Sequence, residues 1–253
     1  MGISVDLGGR RVLVTGASSG IGAATCRSIV AHGGSVAMLA RRKERLDELH
    51  DELGDRAVGF PCDVTDVPGL EAAVADAADA LGGLDGVIAV AGKSMVGTIS
   101  TGTPELWRQL LELNLVGPLA TVRSAVDRFT GEGRRDVVLV GSTGAITPMP
   151  GAGIYAASKR GLRAAFDALR LELAPAGINV SYVMPGMFET EGLTIEGLVF
   201  DGEPPPDYVP WFAGEGAPGS AGDLADIIAM VIGLPDGLCI NELVVRPTRQ
   251  LNP

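Results

Sequence analysis

Along the chain, short unbroken runs of apolar and β-branched residues alternate with longer Ala- and Leu-rich stretches of helical period. The runs Arg11–Val14, Ser35–Ala40, Ala57–Pro61, Gly86–Val90, Asp136–Val140, Asn179–Met184 and Glu242–Arg246 predict strands. They are continuously apolar rather than alternating, as strands covered on both faces of a parallel sheet must be. The stretches near 21–32, 43–53, 67–81, 104–129, 155–174 and 221–233 predict helices. This alternation specifies an α/β fold, a doubly wound parallel sheet of about seven strands with helices on both faces.

Residues 187–222 break the rhythm. They hold Pro204, Pro205, Pro206, Pro210 and Pro218, several glycines, and the apolar group Tyr208, Val209, Trp211 and Phe212. A long loop just after a strand end, where this architecture binds ligands, predicts a lid; a disordered insertion is the competing reading. Nothing else marks a boundary, and 253 residues suit one domain spanning 1–253.

Composition narrows the function. A net charge of -11 argues against nucleic acid and anionic membrane as partners. Cys26, Cys62 and Cys239 form no paired motif and read as reduced thiols of a cytoplasmic protein. No charged-then-apolar leader and no bilayer-length apolar run is expected to act at a membrane. With only His32 and His50, a three-histidine zinc site is ruled out and a Ser-His-Asp hydrolase disfavoured, so no metal site is expected.

The first predicted strand runs into Thr15-Gly16-Ala17-Ser18-Ser19-Gly20-Ile21-Gly22 and then a helix. Glycines there allow a tight turn and close backbone approach to a pyrophosphate, which the helix N-terminus attracts. A strand before, a helix after and a further strand make this segment a dinucleotide site rather than a plain turn. The second strand ends at Ala40 and is followed by Arg41 and Arg42. An acid there would bond a ribose 2′-hydroxyl, whereas arginine forks onto a 2′-phosphate, so NADP(H) is the expected cofactor.

Tyr155 and Lys159 stand four apart on one predicted helix and so share a face. A phenol titrates near ~10, and a neighbouring ammonium is expected to lower that and make Tyr155 a usable proton donor or acceptor. Leu162, Phe166, Leu169 and Leu173 fall on the same side, while Ala157, Gly161, Ala164 and Ala168 form a small-residue stripe opposite. That stripe suits close approach of a helix, from a second subunit or from the same chain. Ser142, just past the fifth predicted strand, could bond a substrate carbonyl or simply cap a turn.

Together these features resemble the short-chain dehydrogenase/reductase family, a Rossmann fold, over nearly the whole chain. The family's glycine signature is matched by Thr15 to Gly22, its adenine-contacting pair by Asp63-Val64, and its active-site tetrad by Asn114, Ser142, Tyr155 and Lys159. Its Pro-Gly after the sixth strand is matched by Pro185-Gly186, followed by Thr190, which in relatives binds the carboxamide. The resemblance implies that Tyr155 protonates the carbonyl oxygen and Ser142 orients it. Lys159 holds the nicotinamide ribose and Asn114 supports a water on the proton path. It also implies cofactor contacts at Ala91, Gly92 and Phe188, and a homodimer or homotetramer.

Two departures stand out. Where the family has Asn-Asn-Ala-Gly, this chain has Ala89-Val90-Ala91-Gly92, which is expected to cost a little cofactor affinity. Many NADP-preferring relatives also carry a basic residue where Ser19 stands, leaving that preference to Arg41 and Arg42. The expected activity is an NADP(H)-dependent ketone/secondary-alcohol oxidoreductase acting on a largely apolar small molecule. A dinucleotide-binding regulator or scaffold without catalysis is the alternative. Tyr208, Trp211 and Phe212, with Met149, Met187 and Phe188, are expected to supply the apolar pocket.

Overall fold

The computed structural model describes residues 5–131, 133–147, 150–191, 194, 197–202, 218–248 and 250. The seven expected strands form one parallel sheet: β1 (Arg11–Thr15), β2 (Ser35–Ala40), β3 (Ala57–Pro61), β4 (Gly86–Ala89), β6 (Arg135–Val140), β7 (Ile178–Pro185) and β9 (Glu242–Val245). A short pair, β5 (Met95–Gly97) and β8 (Val199–Asp201), stands apart from it. The large sheet runs β3-β2-β1-β4-β6-β7-β9, so the winding reverses between β1 and β4. Val14 pairs with Met38 on one side and Ile88 on the other, which brings the ends of β1, β2 and β4 together at that reversal. Ligands bind at such a switch point because the loops on either side diverge and leave a crevice.

The central strands β1, β2, β4, β6 and β7 bury both faces, which is why their apolar runs are unbroken, while the edge strands β3 and β9 stay partly exposed. Val12 and Val14 pack toward α1 (Gly20–Ala31), α2 (Lys43–Leu53) and the last helix, α7 (Ala221–Ile232). Leu13, between them, faces the opposite core, where Leu70 and Val74 of α3 (Val67–Leu81), Val122 of α5 (Gly117–Val126) and Phe166 of α6 (Gly153–Leu173) gather. Under α6, the Tyr182 ring stacks on Phe166 at 5.6 Å and its hydroxyl donates to the Lys159 carbonyl at 2.8 Å. That buried tyrosine ties α6 to β7.

Where a single helix over 104–129 is expected, α4 (Pro104–Leu111) passes through a π-helical turn at Glu112–Val116 before α5. β5 and β8 were not expected. Asp201, at the end of β8, accepts from the Thr103 backbone N–H at 2.7 Å and from Trp107 Nε1 at 3.0 Å. One carboxylate thus satisfies an otherwise orphaned amide at the start of α4 and pins β8 to that helix. On the other side of the expected lid, Phe188 bridges Gly219. Residues 203–217, with Tyr208, Val209, Trp211 and Phe212, lie outside the described residues, as does Met149.

Candidate active site

The β1–α1 loop is shaped by glycine. Gly16 and Gly20 take φ of 70° and 51°, a left-handed backbone that side chains disfavour. A Cβ on Gly22 would lie 2.2 Å from the Gly16 carbonyl oxygen, so the helix can close on the loop only without a side chain. Ser19 makes no side-chain cap, which leaves the first amides of α1 to an anion.

A cavity of ≈ 380 Å³ opens in front of this loop. Of the residues expected to touch a dinucleotide, Gly16, Ser18, Ser19, Gly20, Ile21 and Gly22 form its floor, and Arg41, Arg42, Asp63 and Val64 one wall. Ala91, Gly92 and Thr190 line it as well. Arg42 donates to the Ser18 hydroxyl at 3.1 Å and pairs with Glu191 at 2.9 Å, while Arg41 stands 3.7 Å from Asp63. Phe188 does not line this cavity. Its ring is 5% exposed and packs into the core against Gly219, where an apolar side chain is better buried than in a polar phosphate groove. Pro185 and Gly186 also fall outside this lining, and the Gly186 amide donates to the Val245 carbonyl instead.

Beyond Gly92 lie the four residues of the expected tetrad. A Cβ on Gly92 would meet Asn114 Oδ1 at 3.0 Å and Lys159 Nζ at 3.4 Å, so both side chains border the same bare backbone. The π turn carries Asn114 inward. Its amide accepts from the Lys93 N–H at 2.9 Å and donates to the Lys93 carbonyl at 2.8 Å and to Ser158 Oγ at 3.2 Å. Lys159, 5% exposed, donates to the Val140 carbonyl at 3.1 Å, and burial brings its pKa down to about 8. Ser142 accepts from the Gly144 amide at 3.1 Å, so it does cap a turn. Gly144 also lies under the Tyr155 ring, which brings the phenol beside Ser142. The phenol does not show the lowered pKa expected of it. Burial raises it, and the Ser142 and Ser94 hydroxyls oppose that rise only in part.

A family model described as short chain dehydrogenase matches residues 10–195. The chain belongs to that family. It is 37% identical over 190 residues to an uncharacterized oxidoreductase of Mycobacterium tuberculosis, covering 72% of this chain and 74% of the relative. Over 95% of its length it is 33% identical to the glycine betaine reductase of Emericella nidulans, of which it spans only 19%. Among solved structures, a short chain dehydrogenase from Burkholderia cenocepacia in complex with NADP superposes with a TM-score of 0.82 at 29% identity, covering 95% of this chain and 97% of that one. A dehydrogenase/reductase from Sinorhizobium meliloti gives 0.83 at 28% identity, with 96% of each chain covered.

In this short chain dehydrogenase, Ala89 and Val90 leave no amide side chain to brace the end of β4. The Thr15 hydroxyl, 1% exposed, lies within hydrogen-bonding reach of the Val90 and Ala91 amides instead, at 3.2 and 3.3 Å. Ser94 and Glu191 are the residues that sequence reasoning missed. Ser94 interacts with Tyr155 while its carbonyl accepts from the Val199 amide of β8 at 3.1 Å. No motif marks either residue, because each acquires its neighbours only through the fold.

Proposed function

We propose that this oxidoreductase uses NADP(H) to interconvert a ketone and a secondary alcohol, with Tyr155 as proton donor and acceptor. The observation that carries the reading is the convergence of Tyr155, Ser142, Asn114 and Lys159 on Gly92 and Gly144, at one end of a groove whose other end holds two arginines. The groove suits a dinucleotide: bare glycine backbone and a helix N-terminus for the pyrophosphate, and Arg41 and Arg42 for a 2′-phosphate. When bound, the nicotinamide supplies or accepts the hydride. Ser142 donates to the substrate oxygen and fixes it beside the phenol. Tyr155 then passes its proton to that oxygen in reduction and receives it back in oxidation. Lys159, buried beside Asn114, holds the cofactor ribose and serves the proton path behind the phenol.

The substrate reading favours apolar carbonyl compounds. Ile99 and Ile146 are 60% and 44% exposed, and Ile99 lies against Gly153, two residues before Tyr155. The chain is read as one domain acting as a homo-oligomer.

Two measurements on one preparation test the activity. Calorimetric titration should give tighter binding of NADPH than of NADH. Tyr155→Phe should leave NADPH binding intact while turnover on a carbonyl panel falls by roughly 10²–10⁴-fold. Equal affinities reject the cofactor assignment, and near-normal turnover in the Phe variant rejects Tyr155 as proton donor.

A further inference from the structure

One ion pair joins the two walls of the dinucleotide groove. Arg42 stands just before α2 and meets the glycine loop through Ser18, with Nε and Nη2 at 3.2 and 3.1 Å from the Ser18 hydroxyl. Its remaining terminal nitrogen, Nη1, reaches Glu191 Oε2 at 2.9 Å. Glu191 comes from the opposite wall, one residue past Thr190, whose side chain rests on Gly20. We propose that Glu191 is a specificity-determining residue: its carboxylate holds the edge of Arg42 that a 2′-phosphate takes, and the phosphate binds by displacing it. This rests on the NADP(H) reading above.

The chemistry of the three partners distinguishes them. A serine hydroxyl both donates and accepts, so Ser18 can stay on Arg42 and also bond a phosphate oxygen. A carboxylate only accepts and carries like charge, so it cannot share that guanidinium edge with a phosphate. Arg41 meets its own carboxylate, Asp63, at a looser 3.7 Å, so Arg42 is the arginine whose partner must leave. A phosphate, with more charge and more acceptor oxygens, displaces a single carboxylate. NADH has nothing to compete with and leaves the pair closed. The pair is 43% and 53% exposed, which limits its strength and sets the expected effect at about three- to fivefold in affinity.

The test is direct calorimetric binding, independent of turnover. Glu191→Gln keeps the side-chain shape and removes the charge. It should tighten NADPH by about three- to fivefold and leave NADH unchanged, and the gain should vanish in an Arg42→Ala background. Unchanged NADPH affinity overturns the proposal. So does equal tightening of both dinucleotides, which would mean only that a negative charge near the pyrophosphate had been removed. Arg42→Ala alone should weaken NADPH selectively. Unmodified protein that binds NADPH no more tightly than NADH rejects the NADP(H) reading and the proposal with it, whereas a preference for NADPH that survives Arg42→Ala, or that shows no Glu191 effect, overturns the proposal alone.

Discussion

Lys159 shows at the scale of one residue what the site costs the fold. It is 5% exposed, with the Val140 carbonyl at 3.1 Å, and its pKa falls from an ordinary 10.5 to about 8. A lysine lowered in this way is charged at pH 7 in a place that resists charge. Between about pH 8 and 10.5 the unfolded chain binds more protons than the folded one, so stability rises with pH across that window. Lys159→Met should therefore raise thermal stability at pH 7, by about 2 kcal/mol once the lost bond to Val140 is allowed for. The gain should shrink as pH rises from 8 to 10.5, while turnover is lost throughout. Unfolding curves of both proteins at pH 7 and above pH 10 check this, and a pH-independent difference would mean that packing rather than charge was changed. The spacing of Tyr155 and Lys159 was legible because one helix fixes it. The direction of the Tyr155 shift was not, because burial by the surrounding chain outweighs any charge that neighbours it in sequence.

Among the elements, apolar runs placed the seven strands of the sheet to within a residue or two, most plainly the central ones, since a strand buried on both faces has little choice of composition. β5 and β8 escaped because three residues carry no period, and their pairing joins Met95 to Val199 across the fold. The π turn at Glu112–Val116 also escaped, hidden in a helical pattern that one extra residue per turn barely disturbs. The tight shape of the glycine loop was legible in the sequence for a reason the structure makes quantitative. Gly22→Ala sets a methyl 2.2 Å from a backbone oxygen that can move only with the whole loop. This variant should lose about 1–3 kcal/mol of stability, as overpacked sites do, and bind NADPH more than about tenfold more weakly. Denaturant unfolding and calorimetry measure the two effects, and unchanged affinity would show the loop to be a structural turn only.

For the whole molecule, the small-residue stripe opposite the Tyr155 side of α6 separates into a packed part and an open part. Gly161 meets Leu115 of the same chain, whereas Ala157, Ala164 and Ala168 are exposed. Val116 and Leu171 are also exposed large apolar residues, at 41% and 63%. Ala164→Arg changes nothing buried within one chain, so it should leave the fold intact while reducing the mass in light scattering toward 26.0 kDa. An unmodified protein already at that mass would reject the homo-oligomer. The attachment of β8 by Asp201 has a practical side. The chain has two tryptophans, and Trp107 donates its indole N–H to that carboxylate. With Trp211 replaced by phenylalanine, the remaining indole becomes a built-in optical reporter whose emission colour follows the loss of this bond. The detachment of β8 can then be timed by stopped-flow in solution without a dye or label.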